Sequence, residues 1–183
     1  SDCPQICGDF LVSLPPVESL SLTFNKSLRP SVLFDYPHLS SLRSLDVFGS
    51  SIARLPRMEN LIALSIGYSH CVSDDFPLFT GLTTFDITFM RLHDEDLLRI
   101  ACFEHLVALN ISFNISLTTE IIPVLVQRCC SLETLNIAHC NQLVEGLSSL
   151  TFLPRLQTCV LPNFRRVYRD EIQTLFNDTD GLT

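Results

Sequence analysis

The feature that most constrains the fold is a spacing of apolar residues that recurs about every two dozen residues. It is clearest in three lines: LVALNISFN from Leu106, LETLNIAHC from Leu132 and LQTCVLPNF from Leu156. Each line has an apolar residue or a cysteine at its first, fourth and sixth places, and an Asn, Cys or Phe at its ninth. This period is too long for one helix or one strand, so it indicates a stack of similar units.

The same template occurs seven times. Successive units begin 25, 19, 21, 24, 26 and 24 residues apart, so only the later units have room for a helix between strands. The units begin at Val17, Leu42, Leu61, Leu82, Leu106, Leu132 and Leu156. We therefore predict a single domain with about seven repeats over residues 17–168. Residues 1–16 form an N-terminal flank, either the tail of an earlier unit or a cap, and residues 169–183 form a C-terminal helix and tail.

Elementary strand geometry explains the template. Places four and six point to the same side of a strand, and one unit cannot bury that side alone, so neighbouring units stack into a parallel sheet. The ninth place turns the chain inside the stack, where its polar groups need partners. Compact residues that can form hydrogen bonds suit this place: Asn25, Ser50, Ser69, Asn114 and Cys140. Met90 and Phe164 depart from the pattern, and we expect irregular turns after those two strands.

The segments that return to the next strand differ along the chain. The pattern predicts a helix over His93–His105, with Asp94 as its cap, and a second over Leu117–Cys130, capped by Thr118 or Thr119. A last helix is expected over Asp170–Asp178. The early units have only extended or short-turn returns.

The line LVQRCCSLETLNIAHCNQL resembles the cysteine-containing class of leucine-rich repeat, which is typical of F-box-associated and ribonuclease-inhibitor-like proteins. The resemblance is strong over residues 82–167 and looser over residues 17–81. It implies an α/β solenoid, a curved horseshoe with a parallel concave β-sheet and helices or short turns on the convex side. It also implies that another protein binds the concave face and, in such families, substrate selection for a ubiquitin ligase.

Two rows of side chains are candidates for contact with a partner. The eighth places form an aromatic row and the fifth places form a polar, partly acidic one. Aromatic rings beside hydrogen-bonding groups are typical of protein interfaces, although the rings can equally pack on one another and shield the strand ends, and the two roles are compatible. The candidate partner-binding residues are Phe48, Tyr68, Asp86, Phe89, Asn110, Phe113, Asn136 and His139.

Other functions have little support. The net charge of −8 argues against nucleic-acid binding, and no apolar run is long enough for a membrane span. We find no catalytic motif and expect no enzyme activity and no cofactor. Cys129, Cys130, His139 and Cys140 include zinc-ligand types, but a structural role fits their places better, so no metal site is predicted. The basic patch Arg165–Arg169 is read as a solvated edge, with contact to an acidic partner as the alternative.

Localisation and context leave alternatives. Cysteines at core-like places favour an intracellular protein, cytoplasmic or nuclear. Cys3 and Cys7, which would pair in an extracellular cap, and the sequons at Asn25, Asn110, Asn114 and Asn177 favour a secreted or cell-surface recognition domain instead. A third alternative is a structural subunit of a large assembly. The chain has no initiator Met, so we expect a fragment or processed form with neighbouring domains missing.

Overall fold

The computed structural model describes residues 9–69, 71, 73–100 and 103–162. These residues contain a seven-stranded parallel sheet whose strands follow one another in chain order. The strands are β1 (Ser19–Ser21), β2 (Ser44–Asp46), β3 (Ala63–Ser65), β4 (Thr84–Asp86), β5 (Ala108–Asn110), β6 (Thr134–Asn136) and β7 (Thr158–Val160). The architecture is that of a leucine-rich-repeat solenoid, as predicted.

The strand register confirms the predicted phase of every unit. The residues at the fourth place are directly paired across the sheet: Leu20, Leu45, Leu64, Phe85, Leu109, Leu135 and Cys159. The hydrogen-bond ladder also extends beyond the three-residue strands. For example, the N–H of Phe24 donates to the carbonyl of Phe48 at 2.7 Å, four places after the paired leucines. Each of the first five units is therefore bonded to the next from before its strand to its eighth place.

The core lies on one side of the sheet. Within unit five, Leu106, Leu109 and Ile111 are all buried, and the same places are buried in the units on either side. Because each unit leaves its apolar side to be covered by its neighbours and by the return segments, the buried residues form one continuous cluster.

The return segments are short. The described residues between β1 and β2 and between β3 and β4 contain 3₁₀ turns, and those between β2 and β3 contain neither a 3₁₀ turn nor a helix. Two later returns contain the helices α1 (Asp94–Leu98) and α2 (Ile121–Arg128). The 3₁₀ turns are Asp9–Ser13, Val32–Asp35, Leu39–Ser41, Ser73–Leu78, Phe103–His105 and Leu147–Phe152. In the part of the chain that the structure describes, no helix is long and apolar enough to cross a membrane. The expected helix over Asp170–Asp178 lies outside the described residues.

The predicted helix caps were wrong. The residue before α1 is His93, whose N–H donates to the carboxylate of Asp96 at 2.8 Å, and α1 itself begins at Asp94. The Asp94 carboxylate instead accepts the N–H and the hydroxyl of Thr118 at 2.9 and 2.6 Å, which ties two successive returns together. Thr118 is thereby engaged, and α2 is preceded by Glu120 rather than by either threonine.

The ninth place has the buried hydrogen-bonding role that was expected. Asn25, Ser50, Asn114 and Cys140 are buried, and Ser69 is half-buried. Asn114 is the most fully engaged: its amide N–H₂ donates to the carbonyls of Ile87 and Ile111 at 2.9 and 2.8 Å. The expected irregular turn is confirmed after β4, where Arg91 adds a second left-handed residue. Phe164 lies outside the described residues.

Candidate protein-binding surface

Six ring side chains line up along the edge where the strands end. We call them the aromatic row: Phe24, Phe48, Tyr68, Phe89, Phe113 and His139. Successive ring centroids are 5.4, 6.4, 5.2, 6.2 and 4.1 Å apart, so each ring contacts the next without a break. These separations are within or slightly below the range of favourable aromatic pairs. The row thus crosses six of the seven units.

The rings are packed together but remain open to solvent. Phe24 and Tyr68 are 50% and 51% exposed, and Phe89 and Phe113 are 42% and 41% exposed. Phe48 and His139 are half-buried. By contrast Phe76 and Phe85, which also contact each other edge to face, lie fully in the core. The row therefore combines the two roles left open by the sequence: the rings shield one another and still present a continuous apolar strip.

The backbone beneath the row is left-handed. The φ angles of Phe24, Tyr68, Phe89, Phe113 and His139 lie between 52° and 60°. For residues other than Gly, Asn and Asp this conformation is uncommon and costs roughly 1–2 kcal/mol per residue. At Phe24, Tyr68, Phe89 and Phe113 it is maintained because the N–H group enters the ladder. The N–H of Phe113, for instance, donates to the carbonyl of Ala138 at 2.8 Å. Strain of this kind persists only where surrounding bonds impose it.

In the second unit the ring stands one place earlier than in the others, and two glycines lie against neighbouring rings of the row. Its ring, Phe48, stands at the seventh place, and Gly49 has the left-handed conformation at the eighth. A Cβ on Gly49 would lie 2.8 Å from Cδ1 of Phe24. A Cβ on Gly67, the next residue across the ladder, would lie 2.8 Å from both Cε2 of Phe48 and the carbonyl oxygen of Thr88. Gly67 therefore leaves room for the displaced ring of Phe48, and Gly49 leaves room for the ring of Phe24. Sequence reasoning identified neither requirement.

The polar row supports the turns that carry the rings. One carboxylate oxygen of Asp86 accepts the N–H of Thr88 at 2.9 Å, and its other oxygen accepts the amide of Asn110 at 3.1 Å. Asp46, Asn110 and Asn136 accept the N–H two residues ahead in the same way. The predicted contact residues Asp86, Asn110 and Asn136 thus lie beside the rings, with at least one oxygen of each already bonded within the fold.

The third place of each unit, where its strand begins, also points away from the core, and the residues at this place are all small. They are Ser19, Ser44, Ala63, Thr84, Ala108, Thr134 and Thr158. A partner that approaches this side of the sheet therefore meets short side chains at these places, with the aromatic row beside them.

A cavity of about 550 Å³ lies beside the row at the turns of the first four units. We call it the row cavity. Its lining includes two rings, two hydroxyls and two cations: Tyr68, Phe89, Ser51, Ser69, Lys26 and Arg91. Sequence reasoning did not identify this site. The only hint was the absence of a hydrogen-bonding residue at Met90, which also lines the cavity.

Three of the cysteines that the structure describes have raised pKa values. Burial raises the pKa of Cys71 and of Cys140 to about 11 and that of Cys159 to about 12, so these thiols are protonated at neutral pH and are poor nucleophiles. In the predicted cysteine and histidine cluster, Cys129 and Cys140 are buried whereas Cys130 is exposed. No group of three metal-ligating side chains is close enough to hold an ion among the residues that the structure describes.

Comparison with known proteins gives matches in structure but not in sequence. No family model matches the chain, and no curated protein matches it in sequence. Among solved structures, a leucine-rich-repeat protein of Leptospira interrogans is similar, with 13% identity and a TM-score of 0.42. The match covers 94% of this chain, and the chain spans 62% of the length of that structure. The leucine-rich-repeat architecture rests on the strand order and register given above.

Proposed function

We propose that the chain is a non-catalytic protein-binding module and that the aromatic row is its main contact surface. The observation that supports this most is that large rings stand half exposed at five left-handed positions. Asn or Gly would allow the same turn at lower cost, so the turn itself does not require rings. A surface that retains exposed aromatics at such a cost resembles an interface hot spot more than a folding element.

We propose further that the module is intracellular, as an adaptor or substrate-recognition domain. Cys71, Cys140 and Cys159 are buried free thiols. The sequon residue Asn114 is fully buried, Asn25 is nearly so, and the amide of Asn110 donates to Asp86. A glycan at these three sites would require the local structure to open. A link to a ubiquitin ligase follows only from the resemblance to F-box-associated repeats.

Affinity capture from cell extract with a matched pair of variants tests the proposal. The row variant carries Phe89→Asn and Phe113→Asn, which remove two rings and suit the left-handed backbone. The control variant carries Phe34→Asn and Phe152→Asn, which remove two exposed rings from the returns. We expect the row variant to lose the partners that the wild type and the control retain, with all three proteins folded.

Two results would overturn this proposal. If the folded row variant captures the same partners as the wild type, the aromatic row is structural. If the control variant loses them instead, the contact surface lies on the return segments, as expected for a structural subunit packed into a larger assembly.

A further inference from the structure

The row cavity lies where the stack is least regular. The turn after β4 has Met90 at the ninth place and a second left-handed residue, Arg91, with φ of 57°. Both side chains line the cavity. Gly49 also lines the cavity and presents no side chain, because the ring of the second unit stands one place earlier, at Phe48. The same two irregularities that interrupt the repeat therefore form the walls of the cavity.

The charge of the cavity is opposite to that of the whole chain. The sequence has 20 acidic and 12 basic residues, yet no carboxylate lines the cavity, while Lys26 and Arg91 do. The thiol of Cys71, also in the lining, is neutral at physiological pH because burial raises its pKa to about 11. The cavity therefore has two positive groups and no negative one.

Neither of these two cations is paired with a carboxylate of the described residues. Elsewhere in the described part of the chain, Arg54 and Arg99 pair with Asp75 and Asp74, and Arg57 pairs with Glu59. Lys26 and Arg91 form no ion pair with any residue that the structure describes, and both are exposed. Unpaired cations around a cavity walled by rings and hydroxyls attract an anionic group that also has an apolar neighbour.

We infer that the row cavity binds an acidic segment of the partner protein, in which an Asp or Glu stands beside an apolar side chain. The carboxylate would lie between Lys26 and Arg91, and the apolar side chain against Tyr68, Phe89 and Met90. The volume is in the range of cavities that hold several groups at once, larger than a single small anion needs. Methionine suits such a wall because its flexible side chain adapts to different ligands. This inference rests on the proposed function and specifies the chemistry of the partner.

Selection from a library of short random peptides displayed on phage, with the whole chain as target, tests the inference. The charge variant carries Lys26→Glu and Arg91→Glu. A control with Arg43→Glu and Arg155→Glu makes the same change in net charge at two exposed arginines outside the cavity. We expect the enriched peptides to contain Asp or Glu next to an apolar residue. Synthesised, they should bind the charge variant at least about 10-fold more weakly than the wild type or the control.

Three further measurements make the test more specific. A peptide in which the acidic residue is replaced by Lys should bind the charge variant better than it binds the wild type. A milder variant with Lys26→Gln and Arg91→Gln should weaken binding of the original peptide as well, and it serves if the charge reversal affects folding. Inorganic phosphate and heparin are measured as probes, and neither should bind as tightly as the selected peptides.

The outcomes separate the inference from the proposal on which it rests. If the peptides are not acidic, or bind the charge variant as well as the wild type, the inference is wrong; if the row variant nevertheless loses them, the aromatic row remains the binding surface. If heparin binds more tightly and depends on Lys26 and Arg91, the ligand is a polyanion rather than a peptide segment, and the inference is again wrong. If no peptide is enriched, the inference is wrong, and the capture experiment with the row variant still decides the proposed function.

Discussion

The turns after β4 and after β5 show two ways to end a strand in the same stack. After β5, Asn114 donates its amide to the carbonyl of Ile87 in the preceding unit, and after β6 Cys140 donates its thiol to Ile111 in the same manner. After β4, Met90 has no donor for the corresponding carbonyl of Ile66. That carbonyl is bonded instead within its own unit, by the hydroxyl of Ser69 at 2.6 Å.

The difference shows where the repeat can be altered without loss of the fold. A ninth-place donor closes the turn and binds it to the unit before. Where that donor is missing, a neighbouring unit supplies the bonds: the side-chain oxygen Oδ1 of Asn114 accepts the N–H of Met90 and of Leu92 at 2.9 and 3.2 Å. The turn after β4 is thereby freed to carry Arg91 and the row cavity. The regular turns hold the stack together, and the irregular one holds the candidate binding site.

Replacing Asn114 by Ala should have the largest effect, because this residue supports both turns. The change leaves five hydrogen bonds unmade, three to carbonyls and two from N–H groups, and four of the five are buried. We expect a loss of roughly 3–5 kcal/mol in the free energy of unfolding. Urea unfolding measures it. An effect below about 1 kcal/mol would show that the regular turn does not support the irregular one.

Truncating a core leucine should destabilise the protein equally beneath the irregular and the regular turn. Leu64 on β3 and Leu109 on β5 occupy the same place and are both buried, beneath an irregular and a regular part of the stack. We expect Leu64→Ala and Leu109→Ala to lower the free energy of unfolding by similar amounts, about 3 kcal/mol each. Urea unfolding of the two variants makes the comparison. A much smaller loss for Leu64→Ala would mean that the irregularity extends into the core.

Replacing Gly67 by Ala should cost about 2 kcal/mol, since the new methyl group would overlap the ring of Phe48 and the carbonyl of Thr88. Truncation of the ring in a Gly67→Ala, Phe48→Ala double variant should remove the ring part of this clash. A double-mutant cycle measures the coupling. Additive costs would show that the glycine does not accommodate the displaced ring.

Replacing Ser69 by Ala should cost about 1 kcal/mol, because the carbonyl of Ile66 loses its donor in a half-buried turn. Introducing Met90→Asn in the same chain should restore part of the loss by supplying the donor that the regular turns have. Thermal unfolding of the single and double variants tests this. If the double variant recovers no stability, the hydroxyl of Ser69 does not replace the donor that is missing at Met90.

The sequence predicted the parts of the fold that depend on apolar spacing. The fourth-place residues from Leu20 to Cys159 are in register because every unit places its apolar residues at the same positions. The caps failed for the opposite reason. Asp94 is an ordinary cap residue by its local sequence, but it bonds Thr118 one unit later, and local sequence cannot show that bond.

The candidate site was predictable only in part. The eighth-place rings were visible as a row, but a Phe or Tyr gives no local indication of a left-handed backbone, which the ladder imposes on them. The row cavity requires residues from four units, including Lys26 and Arg91, which line one cavity because the units stack and not because of their spacing in the sequence. Contact of Asp86, Asn110 and Asn136 with a partner remains a prediction.

The most direct test of the central claim is the free energy of unfolding of the row variant with Phe89→Asn and Phe113→Asn. If the rings serve contact with a partner, the lost ring packing is largely offset by relief of the left-handed strain, and the loss should stay below about 2 kcal/mol. If the rings are core elements, the loss should reach roughly 6–10 kcal/mol, the cost of removing two buried rings. The second result would contradict the account.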